Sequence, residues 1–449
     1  MSFPRGFIWG AATASYQIEG TSMQDGGGKS IWDMFSHTPG KVFNGETGDV
    51  ACDHYHLWRE DIALMQELKL QAYRFSLSWP RIMPDGVGAV NPVGLEFYDR
   101  LVDGLLEAGI QPYVTLFHWD LPYELYCRGG WLNRDCVEWF ADYAKVVVDR
   151  LGDRVLNWMT LNEPQCIVGL GMESGQHAPG DKLSKAEILR AAHHTQVAHG
   201  RAVQTLRSGT KIPCRIGYAP VGVAKYPITN SVEDVAAARE AMFSMKTDST
   251  WNNTWWMDPI FLGGYPEDGM KLFADKLPPI LPGDMETIAQ PLDFFGANIY
   301  NAQPVKMGKD GPEDVEHAVG IGRTTYHWPV TPEALYWGPK FFYERYKKPI
   351  IITENGLGNT DWVGVDGKVH DGARIDFLTR YLREYERAIA DGVDAIGYFQ
   401  WSLMDNFEWN EGYKLRFGLT HVDYQTLKRT PKDSAEWYSR VIETNGATL

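Results

Sequence analysis

The sequence predicts an α/β protein built as a (β/α)8 TIM barrel, a single domain over residues 1–449 with long loops at the carboxyl-end face of its strands. Eight short apolar segments have the character of strands, and amphipathic segments separate several of them. This alternation favours a closed parallel barrel. An open, doubly wound sheet is the alternative, but its glycine-rich phosphate fingerprint is missing from the sequence.

Each predicted strand is a short apolar run bounded by turn signals. The clearest follows Pro349, where three isoleucines lead to Glu354 and Gly356 breaks the run. Continuous apolar character indicates a strand buried on both faces, as in a parallel barrel. The eight predicted strands are Trp9–Gln17, Ala72–Trp79, Gln111–His118, Val155–Asn162, Arg215–Val221, Asp293–Tyr300, Pro349–Glu354 and Val393–Trp401.

Helices are predicted where apolar residues recur at helical spacing between these strands. The Asn91-Pro92 pair is a helix-start signal, and Gly109 and Gly152 are stop signals. The predicted helices cover Leu57–Leu68, Val93–Ala108, Val137–Leu151 and Arg374–Ala390.

Three connections, at about residues 18–58, 222–291 and 301–348, are much longer than the others. Loops of this length in a compact domain usually form functional walls or lids, and in a barrel they lie at the carboxyl-end face. The first contains the glycine-rich run 25–30. However, Met23 stands where a phosphate-binding loop requires its first glycine, so we do not predict a phosphate site there.

Composition excludes several classes of function. The chain carries 43 Lys and Arg against 58 Asp and Glu, a formal charge of −15, which argues against nucleic acid or an anionic membrane as a partner. The amino-terminal residues lack the pattern of a secretory signal, and no apolar run approaches the roughly 20 residues that span a bilayer. Five cysteines without a C-x-x-C pair are typical of reduced thiols, which predicts a cytoplasmic protein. A homo-oligomer is left open.

Two glutamates occupy corresponding positions at the ends of predicted strands. Glu163 follows the fourth strand directly before Pro164, which predicts an extended conformation for Glu163. Glu354 ends the seventh strand. The carboxyl ends of all barrel strands face one mouth, so the two side chains are expected to meet there. Two such carboxyl groups are the minimum equipment for glycoside hydrolysis, although acids at a polar barrel mouth are unremarkable by themselves.

Other strand ends strengthen this interpretation. Amide, imidazole, carboxylate and indole groups suit a polyhydroxylated ring, because they supply donors, acceptors and flat apolar faces. Arg74 lies inside the second strand, where a buried charge requires a partner. Singly, a histidine or tryptophan here is more typical of core packing. The groups predicted at strand ends or on the next loop are Gln17, His118, Trp119, Asn162, Asn298, Tyr300, Trp401, Glu408 and Trp409.

With these residues, the chain resembles glycoside hydrolase family 1, the bacterial-type retaining β-glucosidases, over its whole length. Six motifs occur in the family's order. They are Phe7–Gly20 (FIWGAATASYQIEG), Tyr73–Ser76 (YRFS), His118–Pro122 (HWDLP), Thr160–Pro164 (TLNEP), Ile352–Gly356 (ITENG) and Trp401–Trp409 (WSLMDNFEW).

The resemblance implies a retaining β-glucosidase without a cofactor or metal, acting on small β-glucosides, with Glu163 as acid/base and Glu354 as nucleophile. It implies that Arg74 and Tyr300 flank the nucleophile and that Trp328 forms an aglycone platform. The substrate-binding residues it implies are Gln17, His118, Trp119, Asn162, Asn298, Tyr300, Trp328, Trp401, Glu408 and Trp409. Asn162 would contact the 2-hydroxyl group, and Glu408 the 4- and 6-hydroxyl groups.

The chain departs from the family at one visible position. Ile299 stands where the family commonly has tyrosine, and strand alternation predicts that its side chain points away from the mouth. Cys166, Leu170, Met172 and His177 fall where the family lines its entrance.

Three rival functions are disfavoured. A 6-phospho-β-glycosidase of the same family typically has serine at the position of Glu408, whose charge would repel phosphate. An inactive sugar-binding protein on this scaffold would have no reason to keep both acids. A metal enzyme is suggested only by the histidines in residues 193–199, which form no H-E-x-x-H motif and are more typical of an ordinary helix.

Overall fold

The computed structural model describes residues 3–449, so Met1 and Ser2, with which the predicted domain begins, lie outside the described residues. Eight parallel strands form a closed barrel. Each strand pairs with its neighbours in sequence, and the eighth pairs with the first. The strands are β1 (Ile8–Ala12), β2 (Ala72–Ser76), β3 (Gln111–Phe117), β4 (Asn157–Asn162), β5 (Arg215–Ala219), β6 (Phe294–Asn298), β7 (Ile350–Asn355) and β8 (Ala395–Trp401). The predicted barrel is confirmed.

Four predicted carboxyl-terminal strand ends are wrong by two residues or more. β2 ends at Ser76, with Trp79 on the next short helix, and β5 ends at Ala219 rather than at Val221. β1 ends at Ala12, and Gln17 lies on a short helix, Ser15–Ile18, that turns into the barrel mouth. This helix is fixed by hydrogen bonds such as that from the Ser15 N–H to the Ser76 hydroxyl, which no pattern in the sequence reveals. β6 ends at Asn298, so Tyr300 lies two residues beyond its strand.

All four predicted helices are present within a few residues of their predicted bounds. The α-helices are Ser15–Ile18, Ile31–Ser36, His54–Glu67, Trp79–Ile82, Pro92–Glu107, Tyr123–Cys127, Cys136–Leu151, Lys185–Gly209, Val232–Phe243, Thr254–Leu262, Glu267–Phe273, Asp284–Ile288, Ala334–Tyr346, Gly372–Ala390 and Asp433–Glu443. A π-helix covers Cys166–Glu173, and short 3₁₀-helices cover Phe43–Gly45, Gly130–Leu132, Ala274–Lys276 and Trp409–Glu411.

Local sequence explains where the major helices begin. The Asn91 side chain accepts a hydrogen bond from the Val93 N–H, which caps the helix that Pro92 opens. Ser184 and Glu187 form a capping box at the start of the 25-residue helix Lys185–Gly209, which carries all three clustered histidines.

The long connections carry secondary structure of their own. Ala224–Pro227, from the connection after β5, pairs with Ala302–Gly308 from the connection after β6, and Gly311–Asp314 completes this small sheet. A hairpin of Thr420–Val422 and Arg429–Pro431 follows β8.

Close packing at the carboxyl end of β7 explains why the apolar run must stop at a glycine. A Cβ atom added to Gly356 would lie 1.9 Å from the carbonyl oxygen of Trp401, at the end of the neighbouring β8. Glycine therefore lets the segment after Glu354 pass directly against β8. Within residues 3–449, no helix is both long enough and apolar enough to cross a membrane.

Candidate active site

The two predicted acids meet at the carboxyl-end mouth of the barrel. Glu354 lies in β7, and Glu163 directly follows β4; both line one cavity of about 670 Å³. Glu354 is 4% exposed and Glu163 is 8% exposed. A volume of this size suits a small ligand.

Glu354 is held by a cation and a hydroxyl group, one on each carboxylate oxygen. Nη1 of Arg74 lies 2.6 Å from Oε1, and the Tyr300 hydroxyl donates to Oε2 at 2.8 Å. Arg74, which is 1% exposed, thus has the partner that its burial requires. Burial raises the pKa of Glu354, while Arg74 and Tyr300 act in the opposite direction by stabilising the charged form.

Glu163 has neutral partners. The Asn298 amide donates to Oε1 at 2.9 Å, and the Cys166 thiol donates to Oε2 at 3.1 Å. Burial, followed by the charge of Glu354, raises the pKa of Glu163 to about 8. The two carboxyl groups therefore titrate differently: Arg74 favours early loss of the Glu354 proton, whereas the raised pKa of Glu163 keeps it protonated at neutral pH.

The backbone of Glu163 is not extended, so that prediction is wrong. Its φ is +44°, in the left-handed region, and its carbonyl oxygen accepts from the N–H groups of Cys166 and Ile167 as a helical turn begins. Trp119 (φ +80°) and Trp409 (φ +52°) share this uncommon conformation. Such backbone strain concentrates at functional sites, where the surrounding structure must enforce it.

A hydrogen-bond chain fixes the orientation of His118. Oδ1 of Asn162 accepts from Arg74 at 2.6 Å and from Asn298 at 3.0 Å, so the Asn162 Nδ2 group faces Nε2 of His118 at 3.0 Å. His118 therefore accepts at Nε2 and carries its proton on Nδ1. Nδ1 is buried and has no partner within the described residues, so it is free to donate to a ligand. Burial and then Arg74 keep the pKa of His118 well below its ordinary value.

Glu408 lines the same cavity, and each of its carboxyl oxygens accepts a hydrogen bond. Nε2 of Gln17 donates to Oε2 at 3.3 Å, and the Tyr326 hydroxyl donates to Oε1 at 3.1 Å. Burial raises the pKa of Glu408 to about 8. Oε1 of Gln17 has no partner in the described part of the chain and can accept from a hydroxyl group.

Aromatic rings complete the inner wall. The Trp401 and Trp409 rings lie 5.8 and 5.9 Å from the His118 ring, and Trp119 packs against Trp409 with centroids 4.5 Å apart. Nε1 of Trp119 is engaged by the carbonyl oxygen of Asn162 at 2.9 Å. Flat rings of this kind present apolar surface to the C–H faces of a sugar.

Trp328 lies in the outer part of the cavity, stacked on Tyr326 at 4.5 Å with only 8° between the ring planes. Sequence reasoning missed Tyr326, which lies in a long loop away from any strand end. Its only signal is its spacing from Trp328. The entrance residues Cys166, Leu170 and His177 line the cavity as expected. Met172 is not among the lining residues; it lies buried on the π-helix.

The predicted site residues lie in or directly behind the wall of one cavity. Ten line the cavity: His118, Trp119, Glu163, Asn298, Tyr300, Trp328, Glu354, Trp401, Glu408 and Trp409. Gln17, Arg74 and Asn162 lie behind that wall and contact its members. Ile299 is fully buried, and its side chain is directed at Gly222 and Gly338, away from the mouth as expected. Among residues 3–449, no group of three or more His, Cys, Asp or Glu side chains could hold a metal ion.

A family model for glycosyl hydrolase family 1 matches residues 1–447. The chain belongs to glycosyl hydrolase family 1. It is 47% identical to beta-glucosidase A of Thermotoga maritima over 446 residues, covering 99% of this chain and 98% of that relative. It is 45% identical to beta-glucosidase A of Acetivibrio thermocellus, covering 99% of both chains.

Solved structures of this family agree with the fold. The Thermotoga maritima beta-glucosidase in complex with glucoimidazole superposes with a TM-score of 0.90 at 46% identity, covering 99% of each chain. The same enzyme in complex with deoxynojirimycin gives the same values. Family membership and the (β/α)8 barrel, both expected from the motifs, are thereby confirmed.

Proposed function

We propose that Glu354 is the nucleophile and Glu163 the acid/base of this retaining β-glucosidase. The supporting observation is the contrast between their surroundings. Arg74 and Tyr300 bind Glu354, favouring the carboxylate, whereas neutral donors and the nearby Glu354 charge leave Glu163 protonated. Two carboxyl groups tuned apart in this way are the equipment of a double displacement.

In the first step, a Glu354 oxygen attacks the anomeric carbon and the glycosidic C–O bond breaks. Glu163 gives its proton to the leaving oxygen, which departs as the alcohol. Glu354 is now an ester without charge, so its contribution to the raised pKa of Glu163 is removed; that pKa falls, and Glu163 can act as a base. In the second step, Glu163 takes a proton from water, the water oxygen attacks the anomeric carbon, and the ester bond breaks. β-D-Glucose is released with its configuration retained.

The terminal, non-reducing β-D-glucosyl residue would occupy the inner part of the cavity. Its ligands would be Gln17, His118, Trp119, Asn162, Asn298, Trp401, Glu408 and Trp409. The aglycone would lie against Trp328. Substrates would be cellobiose, short cello-oligosaccharides and aryl β-glucosides. A 6-phosphate group would have to lie beside Glu408, whose side-chain partners within residues 3–449 are Gln17 and Tyr326 and provide no Lys or Arg to bind a phosphate.

Two variants and one substrate comparison test these roles. Glu354→Ala should abolish hydrolysis while leaving the fold intact, as judged by circular dichroism. Glu163→Ala should lose most activity on cellobiose and least on 2,4-dinitrophenyl β-glucoside, because an activated leaving group needs no proton. General acid action typically contributes about 10²–10⁴ in rate. Near-normal turnover by the first variant, or equal losses on both substrates by the second, would refute the assignment.

We also propose a cellular setting for the enzyme. The free cysteines and the net charge of −15 support a cytoplasmic enzyme, folded as one domain, whose partner is a small sugar substrate rather than nucleic acid or a membrane. Assembly into a homo-oligomer stays a prediction for analytical ultracentrifugation.

A further inference from the structure

The two carboxyl oxygens of Glu163 have chemically different partners. Oε1 faces the Asn298 amide at 2.9 Å. Oδ1 of Asn298 accepts from the Thr353 hydroxyl at 2.6 Å, which fixes the amide with its NH₂ group toward Glu163. Oε1 therefore meets a donor that can never accept a proton.

The proton of Glu163 consequently belongs on Oε2. A proton on Oε1 would point at an N–H group, whereas Oε2 faces Sγ of Cys166 at 3.1 Å. A thiol is a weak donor and also a weak acceptor. It can donate to Oε2 when Glu163 is a carboxylate and turn its hydrogen away when Oε2 carries the proton.

We propose that Cys166 is a positioning residue that holds Oε2 of Glu163 in both of its states and favours the carboxylate needed in the second step. This inference rests on the proposed acid/base role of Glu163. A backbone hydrogen bond holds Cys166 close to Glu163: the Cys166 N–H donates to the Glu163 carbonyl oxygen at 2.9 Å, where the helical turn begins.

The surroundings keep Cys166 a neutral thiol. It is 4% exposed, and burial together with the neighbouring Glu163 carboxyl raises its pKa well above the ordinary value. The charged or titratable groups that act on Glu163 and Cys166 from the other elements are Arg74 on β2, Glu354 on β7, Tyr300 after β6, Tyr326 in the long loop before β7 and Glu408 after β8. Cys166 is the donor to Oε2.

The test compares Cys166→Ala and Cys166→Ser by the pH dependence of kcat/KM on 4-nitrophenyl β-glucoside. The thiol stabilises the Glu163 carboxylate, so its loss should raise the pKa of the free enzyme's acid. In Cys166→Ala the basic limb should move up by about 0.5–1 pH unit, as expected for one weak hydrogen bond to a charge. Cys166→Ser keeps a donor and should return the limb toward the wild-type position.

A second readout separates positioning from structural damage. With 2,4-dinitrophenyl β-glucoside, whose first step needs no acid, kcat should fall roughly 3–10-fold in Cys166→Ala because the second step needs the carboxylate. Cys136→Ala is the matched control, since it removes a buried thiol on the outer helix Cys136–Leu151. It should change neither quantity. An unmoved basic limb in Cys166→Ala, or a Cys166→Ser profile equal to that of Cys166→Ala, would overturn the proposal.

Glu163→Gln distinguishes this failure from a failure of the proposed function. If Glu163 is the acid, Glu163→Gln loses the basic limb and its activity on poor leaving groups. If Glu163→Gln keeps the wild-type profile, the acid/base assignment itself is wrong. If it behaves as expected while Cys166→Ala leaves the limb unmoved, only the role of Cys166 is refuted.

Discussion

At the scale of single residues, Arg74 joins Glu354, the proposed nucleophile, to the rest of the candidate site. Its Nη1 contacts Glu354 at 2.6 Å, and its Nη2 contacts Oδ1 of Asn162 at 2.6 Å. The planar guanidinium group makes both contacts in fixed geometry, which a lysine ammonium group could not reproduce. One side chain thereby favours the charged form of Glu354 and sets the direction of the Asn162 amide, and through that amide the tautomer of His118.

Tyr300 makes the second contact to Glu354, the proposed nucleophile, and its removal should shift the acid limb of activity. The hydroxyl group donates to Oε2 of Glu354 and lowers the pKa of that carboxyl. In Tyr300→Phe the pKa of Glu354 should rise, so the inactive protonated form persists to higher pH. We expect the acid limb of kcat/KM to move up by about one pH unit, with a roughly tenfold loss below it.

The control for this prediction is Tyr343→Phe, on the outer helix Ala334–Tyr346, which should leave the pH profile unchanged. If the acid limb of Tyr300→Phe coincides with that of the wild type, Tyr300 does not tune Glu354.

At the scale of secondary-structure elements, the sequence predicted the site residues well where they lie on a strand. Apolar runs located β2, β4 and β7, and with them Arg74, Asn162 and Glu354. Prediction from the sequence failed where a side chain is positioned by contacts with residues distant in the chain. Gln17 is fixed by Asn406, Phe407 and Glu408, which lie about 390 residues away. The left-handed backbone of Glu163 likewise depends on a turn that the Pro164 rule did not predict, and Tyr326 reaches Glu408 from a loop without periodicity.

A buried ionic cluster connects the elements behind the site. Lys432 lies 2.6 Å from Oδ2 of Asp361, in the segment after β7, and 2.7 Å from Oδ1 of Asp405, in the segment after β8. Arg374 and Arg416 bind the same two aspartates at 2.7 Å. The cluster thus joins the segment that follows Glu354 to the one that leads to Glu408.

Lys432→Met should destabilise the protein strongly. The substitution leaves two buried carboxylates with one cation fewer, and breaking a buried ion pair from one side typically costs about 3–5 kcal/mol. We expect a lower thermal unfolding temperature by calorimetry and a raised KM, because the segment carrying Glu408 loses its anchor.

Lys145→Met is the matched control for this change. Lys145 pairs with Asp149 on an exposed helix face, and such pairs contribute about 0.3–0.5 kcal/mol. If both substitutions lower the unfolding temperature equally, the buried cluster contributes no special stability.

At the scale of the whole molecule, the buried carboxyl groups of the site make the stability of the fold decrease as the pH rises. Three carboxyl groups, Glu163, Glu354 and Glu408, are buried around one cavity, and burial raises the pKa of each. The folded protein therefore binds protons that the unfolded chain has already released. These protons stabilise the folded state. By linkage, their contribution to the free energy of unfolding is fully present below the ordinary glutamate pKa and is lost as the pH rises toward about 8.

Glu163→Gln should consequently stabilise the enzyme in a pH-dependent manner while removing the proposed catalytic acid. Glutamine has no proton to lose, so the variant escapes the loss that the wild type suffers as the pH rises. The stability gain over the wild type should increase from pH 5 to pH 8 by at most about 1.4 kcal/mol per pH unit, and by less where Glu354 shares the titration. Unfolding temperatures of both proteins at pH 5, 6, 7 and 8 measure this gain in stability.

The control is Glu60→Gln, at an exposed position of the helix His54–Glu67, which should give a difference from the wild type that is independent of pH. A constant difference for Glu163→Gln across this range would mean that the buried acid is not held protonated by the fold.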